Sequence, residues 1–190
     1  MLSPELLRAS FQKGLAYDDY VATGKPHHQA SWRDVASRVV LPLAQRALIA
    51  SFSRRMPVLV TSGTWCGDCA AQVPMLRAIE GANPGAITLR ILDRDAHPKV
   101  SEALRICGGL RVPTVVFMNE DFEFVHLMGD RTIARYRAMA AAQLGVACPL
   151  PGAPTPPDED SATLADWVEE FERVQLLLRL SPKLRDRHGD

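Results

Sequence analysis

Two thiols three positions apart, Cys66 and Cys69 in the run Trp65-Cys66-Gly67-Asp68-Cys69, are the residues best placed to do chemistry. They follow the apolar, strand-like Pro57-Val58-Leu59-Val60 and precede a segment from Ala70 to Glu80 that reads as a helix. Cys66 then stands at a helix N-terminus, where unpaired backbone N–H groups and the helix dipole favour thiolate over thiol. The thiolate is the form that attacks disulfides. Sulfurs at i and i+3 can close a small ring, so Cys69 can displace whatever Cys66 has captured and the pair can cycle between dithiol and disulfide. Spacing alone leaves a second reading open, because CxxC is also half of a zinc site. No second CxxC follows, Cys107 and Cys148 are isolated, and His27 and His28 have neither HxxxH spacing nor a nearby cysteine. The redox reading leads, with no metal and no organic cofactor expected.

The elements around these thiols read as a βαβ order followed by a hairpin. Val58 to Thr61 is one strand, Ile87 to Leu92 a second, and Pro98 to Ile106 a helix. Thr114 to Met118 and Phe122 to Leu127 form two more strands around a turn at Asn119-Glu120-Asp121, and a helix from Thr132 to Leu144 follows. The class is α/β with an antiparallel pair at one edge.

The stretch from about Met56 to Gly145 resembles thioredoxin. Trp65 stands before the first cysteine, Pro74 lies five residues after the second, Val112-Pro113-Thr114 matches the cis-proline signature of that family, and Gly129 follows at its usual distance. The resemblance implies a thioredoxin-like fold: a central mixed sheet flanked by helices, with Pro74 kinking the active-site helix and Pro113 facing the cysteines in a cis peptide. It also implies that Trp65, Gly67, Val112, Pro113 and Thr114 shape a surface for an extended peptide. The family's electron donors, thioredoxin reductase or glutathione, become the expected partners.

Two departures bear on mechanism. Asp68 replaces the usual proline and places a carboxylate beside the sulfur that must ionise. At about 7 Å two unit charges interact by about 2.4 kcal/mol at an effective dielectric of 20 and about 0.6 kcal/mol in water, so Asp68 is expected to raise the Cys66 pKa by somewhat under about one unit. The buried acid that the family places six residues before the nucleophile is Val60 here. The proton acceptor for Cys69 is therefore missing, and Asp68 acting through water is the substitute expected.

Two additions flank this core, giving an organisation of 1–55 as a helical extension packed on the core, 56–148 as the thioredoxin-like domain, 149–160 as a proline-rich linker and 161–190 as a helix and tail. Ser3 with Pro4 starts one N-terminal helix, and Ser31-Trp32-Arg33-Asp34 starts another that Pro42 breaks, with Gly24 to His28 as a loop between them. In the tail, Thr163 with Asp166 reads as a cap, followed by an apolar stripe of Leu164, Trp167, Val168, Phe171, Val174, Leu177 and Leu178. Such a stripe docks on its own domain, on a second copy of the chain through the terminal helices, or on a separate partner, and the first cover leads. Cys107 reads as a small buried hydrophobe, Cys148 as exposed, and His97 and His126 have no partner in the pattern.

With 190 residues and 47% apolar content the chain can bury a real core. Lys plus Arg and Asp plus Glu number 22 each, leaving no basic field for nucleic acid or anionic lipid. The first residues carry neither a basic nor an apolar signal region, so a reducing cytoplasm is expected. The reading is a reductase of protein or peptide disulfides, with Cys66 as nucleophile and Cys69 as resolving thiol. The alternatives are a redox enzyme acting on a small thiol or peroxide, and a binding or adaptor module that keeps the fold while its dithiol is incidental.

Overall fold

The computed structural model describes residues 2–144 and 157–190. Its central strand, β1 (Met56–Ser62), is buried along its whole length, as an apolar run covered on both faces by helices must be. It pairs in parallel with β2 (Ile87–Asp93), Val60 opposite Ile91, and antiparallel with β3 (Thr114–Met118), Val60 opposite Val115. β3 pairs antiparallel with β4 (Phe124–Met128), so the mixed sheet of four strands runs β2-β1-β3-β4. The hairpin turn is held by Asn119, whose side-chain oxygen accepts from the N–H groups of Asp121 and Glu123 at 3.0 and 2.9 Å. Phe122 adopts a positive φ of 65° in that turn, which delays the strand to Phe124.

The alternation of strand side chains divides the apolar interior in two. Val58, Val60, Val115 and Phe117 face one cluster, which they share with most of the helices. Leu59, Val116 and Met118 face a smaller one with Leu7 of α1 (Pro4–Lys13) and Val100 of α6 (Pro98–Ala103). Ser3 caps α1 by accepting from Leu6 N at 3.3 Å. Helix α6 ends at Ala103, three residues short of the expected Ile106, in a turn through Cys107 and Gly108, both at positive φ.

The N-terminal extension differs from its sequence reading. The helical stretch ahead of Gly24 is divided into α1 and a separate α2 (Tyr17–Ala22), and α3 (Pro26–Arg38) starts at Pro26, so His27 and His28 are helical and not in a loop. Proline at the first helical position is a start signal, and here it outweighs the capping box at Ser31, which falls inside the helix. Pro42 does break the run, and α4 (Leu43–Ala50) follows it. Tyr20 and Trp32 are fully buried in the same cluster as β1, so these helices are part of the core's interior. Between α1 and α2, Leu15 and Ile91 exchange backbone hydrogen bonds of 2.9 Å in each direction.

Helix α5 (Gly67–Ala82) carries the crossover from β1 to β2, with Pro74 inside it, and α7 (Ile133–Leu144) follows β4. Helix α8 (Glu159–Leu180) begins earlier than expected, inside the stretch assigned to the linker: Asp158 caps it, accepting from Ser161 N at 3.1 Å. Thr163 is instead buried within the helix, and Asp166 accepts from Ala134 N at 2.8 Å, tying α8 to the start of α7. The apolar stripe docks on its own domain, with Trp167, Phe171 and Val174 in the main cluster and Leu177 turned to solvent. Gln175 clasps the chain ahead of β1, accepting from Ser53 N and Arg54 N at 3.3 and 2.8 Å and donating to Arg54 O at 3.1 Å. The last helix, α9 (Pro182–His188), pins the β3–β4 turn through Lys183 and Arg187, 2.7 and 2.9 Å from the Asp121 carboxylate. Cys148 and the prolines of the expected linker up to residue 156 lie outside the described residues.

Candidate active site

Strand β1 delivers the chain to the start of α5, and Cys66 is the residue that caps this helix. Its backbone is extended, and its sulfur accepts from Cys69 N at 3.4 Å, as the side chain of any capping residue does at the first turn. Cys66 is half-buried, whereas Cys69, one turn on, is completely buried and both are free thiols. The Cys66 thiol also donates to the carbonyl of Val112 at 3.5 Å, across a Val112–Pro113 peptide that is cis. The loop of Val112, Pro113 and Thr114 thus faces the thiols. The three side chains are buried, and Thr114 closes the loop by donating to Arg111 O at 2.7 Å, so what this loop turns toward Cys66 is backbone.

Burial and hydrogen bonding separate the two sulfurs. Cys66 is brought down to about 6, first by the hydrogen bond from the Cys69 thiol, with help from the N–H groups of Cys69 and Asp68 and against the cost of burial. Burial pushes Cys69 well up, and the Cys66 sulfur beside it adds to that rise. Cys66 is therefore a thiolate at neutral pH while Cys69 keeps its proton.

Asp68 does act on Cys66 in the expected direction, but its charge is the smallest of the named influences and the net shift is downward. The downward shift comes from the hydrogen bonds just named, and the Asp68 carboxylate is itself engaged by a pair of arginines. Arg131 embraces Asp68 with Nε at 3.0 Å and with Nη2, and Arg135 approaches to 3.4 Å. Both Asp68 oxygens, expected to serve a water relay toward Cys69, are taken up by guanidinium groups. Arg131 in turn bonds Asp130, at 3.0 Å, which is buried and held by Arg111 and the Tyr136 hydroxyl as well. Gln72 of α5 donates to the Asp130 carbonyl at 2.9 Å and locks this network to the active-site helix.

Trp65 is half exposed and folds over Gly63, where any Cβ would stand 2.7 Å from the indole. Arg94 lies 4.8 Å above the ring and donates to Leu110 O at 2.7 Å, so one side chain joins the tryptophan to the loop leading to Pro113. Gly67 is exposed at the first helical position, with open space where a Cβ would be. Gly129 permits a close crossing: a Cβ there would meet Ile106 at 2.6 Å. From the N-terminal extension, Trp32 donates its indole N–H to Thr64 O at 3.0 Å and braces the turn just before the first cysteine.

Arg94, Arg131, Arg135 and Trp32 had no signal in the sequence, since each reaches the site from a distant segment. Cys107 is exposed rather than buried, because its turn at φ 48° carries it to the surface. His126 does find a partner, the Glu170 carboxylate at 3.1 Å, while His27 and His28 meet edge to face with ring centres 4.1 Å apart. Val60 is wholly buried in the sheet, with no carboxylate in its place. Among the described residues no cluster of histidine, cysteine and carboxylate side chains is arranged to hold a metal, and no helix is long and apolar enough to cross a membrane.

A family model described as Thioredoxin matches residues 14–143. Among solved structures, a protein of unknown function from Pseudomonas aeruginosa superposes with a TM-score of 0.68 at 19% identity, over 92% of this chain and 97% of its own. An HIV epitope-scaffold superposes with a TM-score of 0.60 at 20% identity, over 88% of this chain and 92% of its own. At these identities the likeness is one of fold. It extends well beyond the sheet and takes in both flanking sets of helices.

Proposed function

The chain belongs to the thioredoxin family, and from that membership together with its asymmetric thiol pair we infer a thiol–disulfide oxidoreductase that reduces disulfide bonds in proteins or peptides. The observation that carries the reading is the contrast at the start of α5, an accessible sulfur brought down to about 6 beside a buried one that keeps its proton. In the first step the Cys66 thiolate attacks one sulfur of the substrate disulfide. A bond forms from Cys66 to that sulfur, and the other substrate sulfur departs with the electron pair and takes a proton from solvent. In the second step Cys69 gives up its proton and attacks Cys66. The Cys66–Cys69 bond forms, the bond from Cys66 to the substrate breaks, and the substrate leaves as a dithiol.

Trp65, Gly67 and the backbone of the Val112-Pro113-Thr114 loop surround the sulfur that an extended substrate would have to reach. The electron donor that restores the dithiol is thioredoxin reductase or glutathione in this reading, and the setting is a reducing cytoplasm. The test is insulin reduction with each donor supplied in turn. Turnover with either supports the reading. Turnover of peroxide or of a small disulfide alone favours a small-molecule enzyme, and a Cys66–Cys69 pair that cannot be oxidised favours a binding module.

A further inference from the structure

The resolving step requires a completely buried thiol to lose its proton, yet the carboxylate that would assist is absent at Val60 and committed elsewhere at Asp68. Two other polar groups lie at Cys69. Ser62, the last residue of β1, and Tyr20, from α2, are fully buried. Neither the Ser62 hydroxyl nor the Tyr20 hydroxyl makes a hydrogen bond of ordinary geometry among the described residues. Ser62 is nonetheless a neighbour of both Cys69 and Tyr20 and eases the ionisation of each, and Tyr20 shares the main apolar cluster with Cys69.

A buried hydroxyl without a partner is costly, so two of them as neighbours, one beside the sulfur, call for a reason. A neutral thiol is a weak acceptor and a thiolate a strong one, so the partner that the Ser62 hydroxyl lacks comes into being when Cys69 ionises, and a Ser62 hydroxyl turned to that sulfur offers its own oxygen to Tyr20. Resting on the dithiol mechanism above, we propose that Ser62 is a catalytic residue for the resolving step, donating a hydrogen bond to the Cys69 sulfur as it becomes a thiolate, and that Tyr20 is the positioning residue that donates to Ser62.

Neither hydroxyl serves as the base. Burial holds the Tyr20 phenol protonated, with its pKa pushed up, so it keeps a proton to donate and does not act as a base. The proton that Cys69 loses ends on the departing substrate sulfur, which receives the electron pair when its bond to Cys66 breaks. The other ionisable groups facing this spot are Cys66 at the head of α5, Asp68 in its first turn and Asp93 at the end of β2. Asp68 is engaged by arginines, and an Asp93 oxygen accepts from the N–H groups of Asp95 and Ala96 at 2.9 and 3.0 Å. Beside the Gly63 backbone N–H, which also eases the ionisation of Cys69, the Ser62 hydroxyl supported by Tyr20 is the side-chain group left to stabilise the sulfur. Tyr20 also brings the N-terminal extension into the chemistry.

Ellman's reagent separates the two steps without a protein substrate. Its first aromatic thiolate is released when Cys66 attacks, and its second when Cys69 resolves the mixed disulfide. In Ser62→Ala the second phase should slow about tenfold, and in Tyr20→Phe about threefold, as expected for the loss of a hydrogen bond to a developing charge and of its support. The second phase should also move to higher pH in both variants, the first should keep its rate and pH profile, and Ser62→Thr should restore the second. Far-UV circular dichroism confirms folding of each, and Tyr20→Phe keeps the ring if Ser62→Ala does not fold. A second phase with unchanged rate and pH profile in the folded variants overturns the proposal. A wild-type protein without any second phase overturns the dithiol mechanism along with it, whereas normal two-phase kinetics without insulin reduction removes only the protein-substrate reading.

Discussion

Cys66 acquires its acidity from donors that reach it locally, the thiol of Cys69 and the first N–H groups of α5. The rate of its alkylation by iodoacetamide should therefore rise through a pH of about 6 and level off by neutrality. Asp68 modulates this value in partnership with Arg131 and Arg135. Asp68→Asn removes one negative charge while Asp130 and Glu159 still hold Arg131 and Arg135, so the same profile should move to lower pH by about half a unit to one unit; an upward move would show that the arginines swing away. The division of labour between the sulfurs gives a second outcome. Cys69→Ser should leave substrates attached to Cys66 as reducible adducts visible on non-reducing gels, and Cys66→Ser should form none, since the buried Cys69 is protonated and out of reach. At this scale the two cysteines and the facing Val112-Pro113-Thr114 loop were legible in the chain, because their spacing is local. The partners of Asp68 were not. Arg131 and Arg135 stand 63 and 67 residues away, and no local pattern encodes a pairing between a helix start and a loop beyond the sheet.

Helices proved readable in type and less so in extent. Strands with apolar runs, and α5 between two of them, lie within a few residues of where periodicity put them. Competing caps decided the remainder: Pro26 over Ser31 for α3, and Asp158 over Thr163 for α8. In each case an interior residue mimics a cap; a proline start signal decides the first, and tertiary contacts decide the second. Thr163 is buried against the core, and Asp166 serves α7 rather than its own helix. The docking of α8 has a measurable cost of removal. Gln175 satisfies two backbone N–H groups and one carbonyl ahead of β1, so Gln175→Ala should destabilise the fold by about 2 to 3 kcal/mol, read from urea unfolding as a lower midpoint at unchanged slope. Trp167→Ala, at the centre of the same face, should lose about 3 to 5 kcal/mol.

For the molecule as a whole, the additions at either end are continuous with the interior rather than appended to it. Tyr20, Trp32, Trp167 and Phe171 share one cluster with β1 and β3, and Trp32 fixes the turn ahead of the nucleophile. That continuity was not visible in composition, which supplies apolar residues to every segment alike. The backbone exchange between Leu15 and Ile91 has a further consequence. It sits on the outer side of β2, the strand that ends the sheet on that side, and occupies part of a row of donors and acceptors that another chain could otherwise pair with. A version beginning at Met56 would present that row bare, together with the apolar faces uncovered by losing α1 to α4. Such a version should be recruited into strand-paired aggregates, with light scattering and thioflavin fluorescence growing with concentration, while the 190-residue chain stays dispersed. The short segment between α1 and α2 would then act as a guard on the sheet, protecting solubility from a place remote from the thiols.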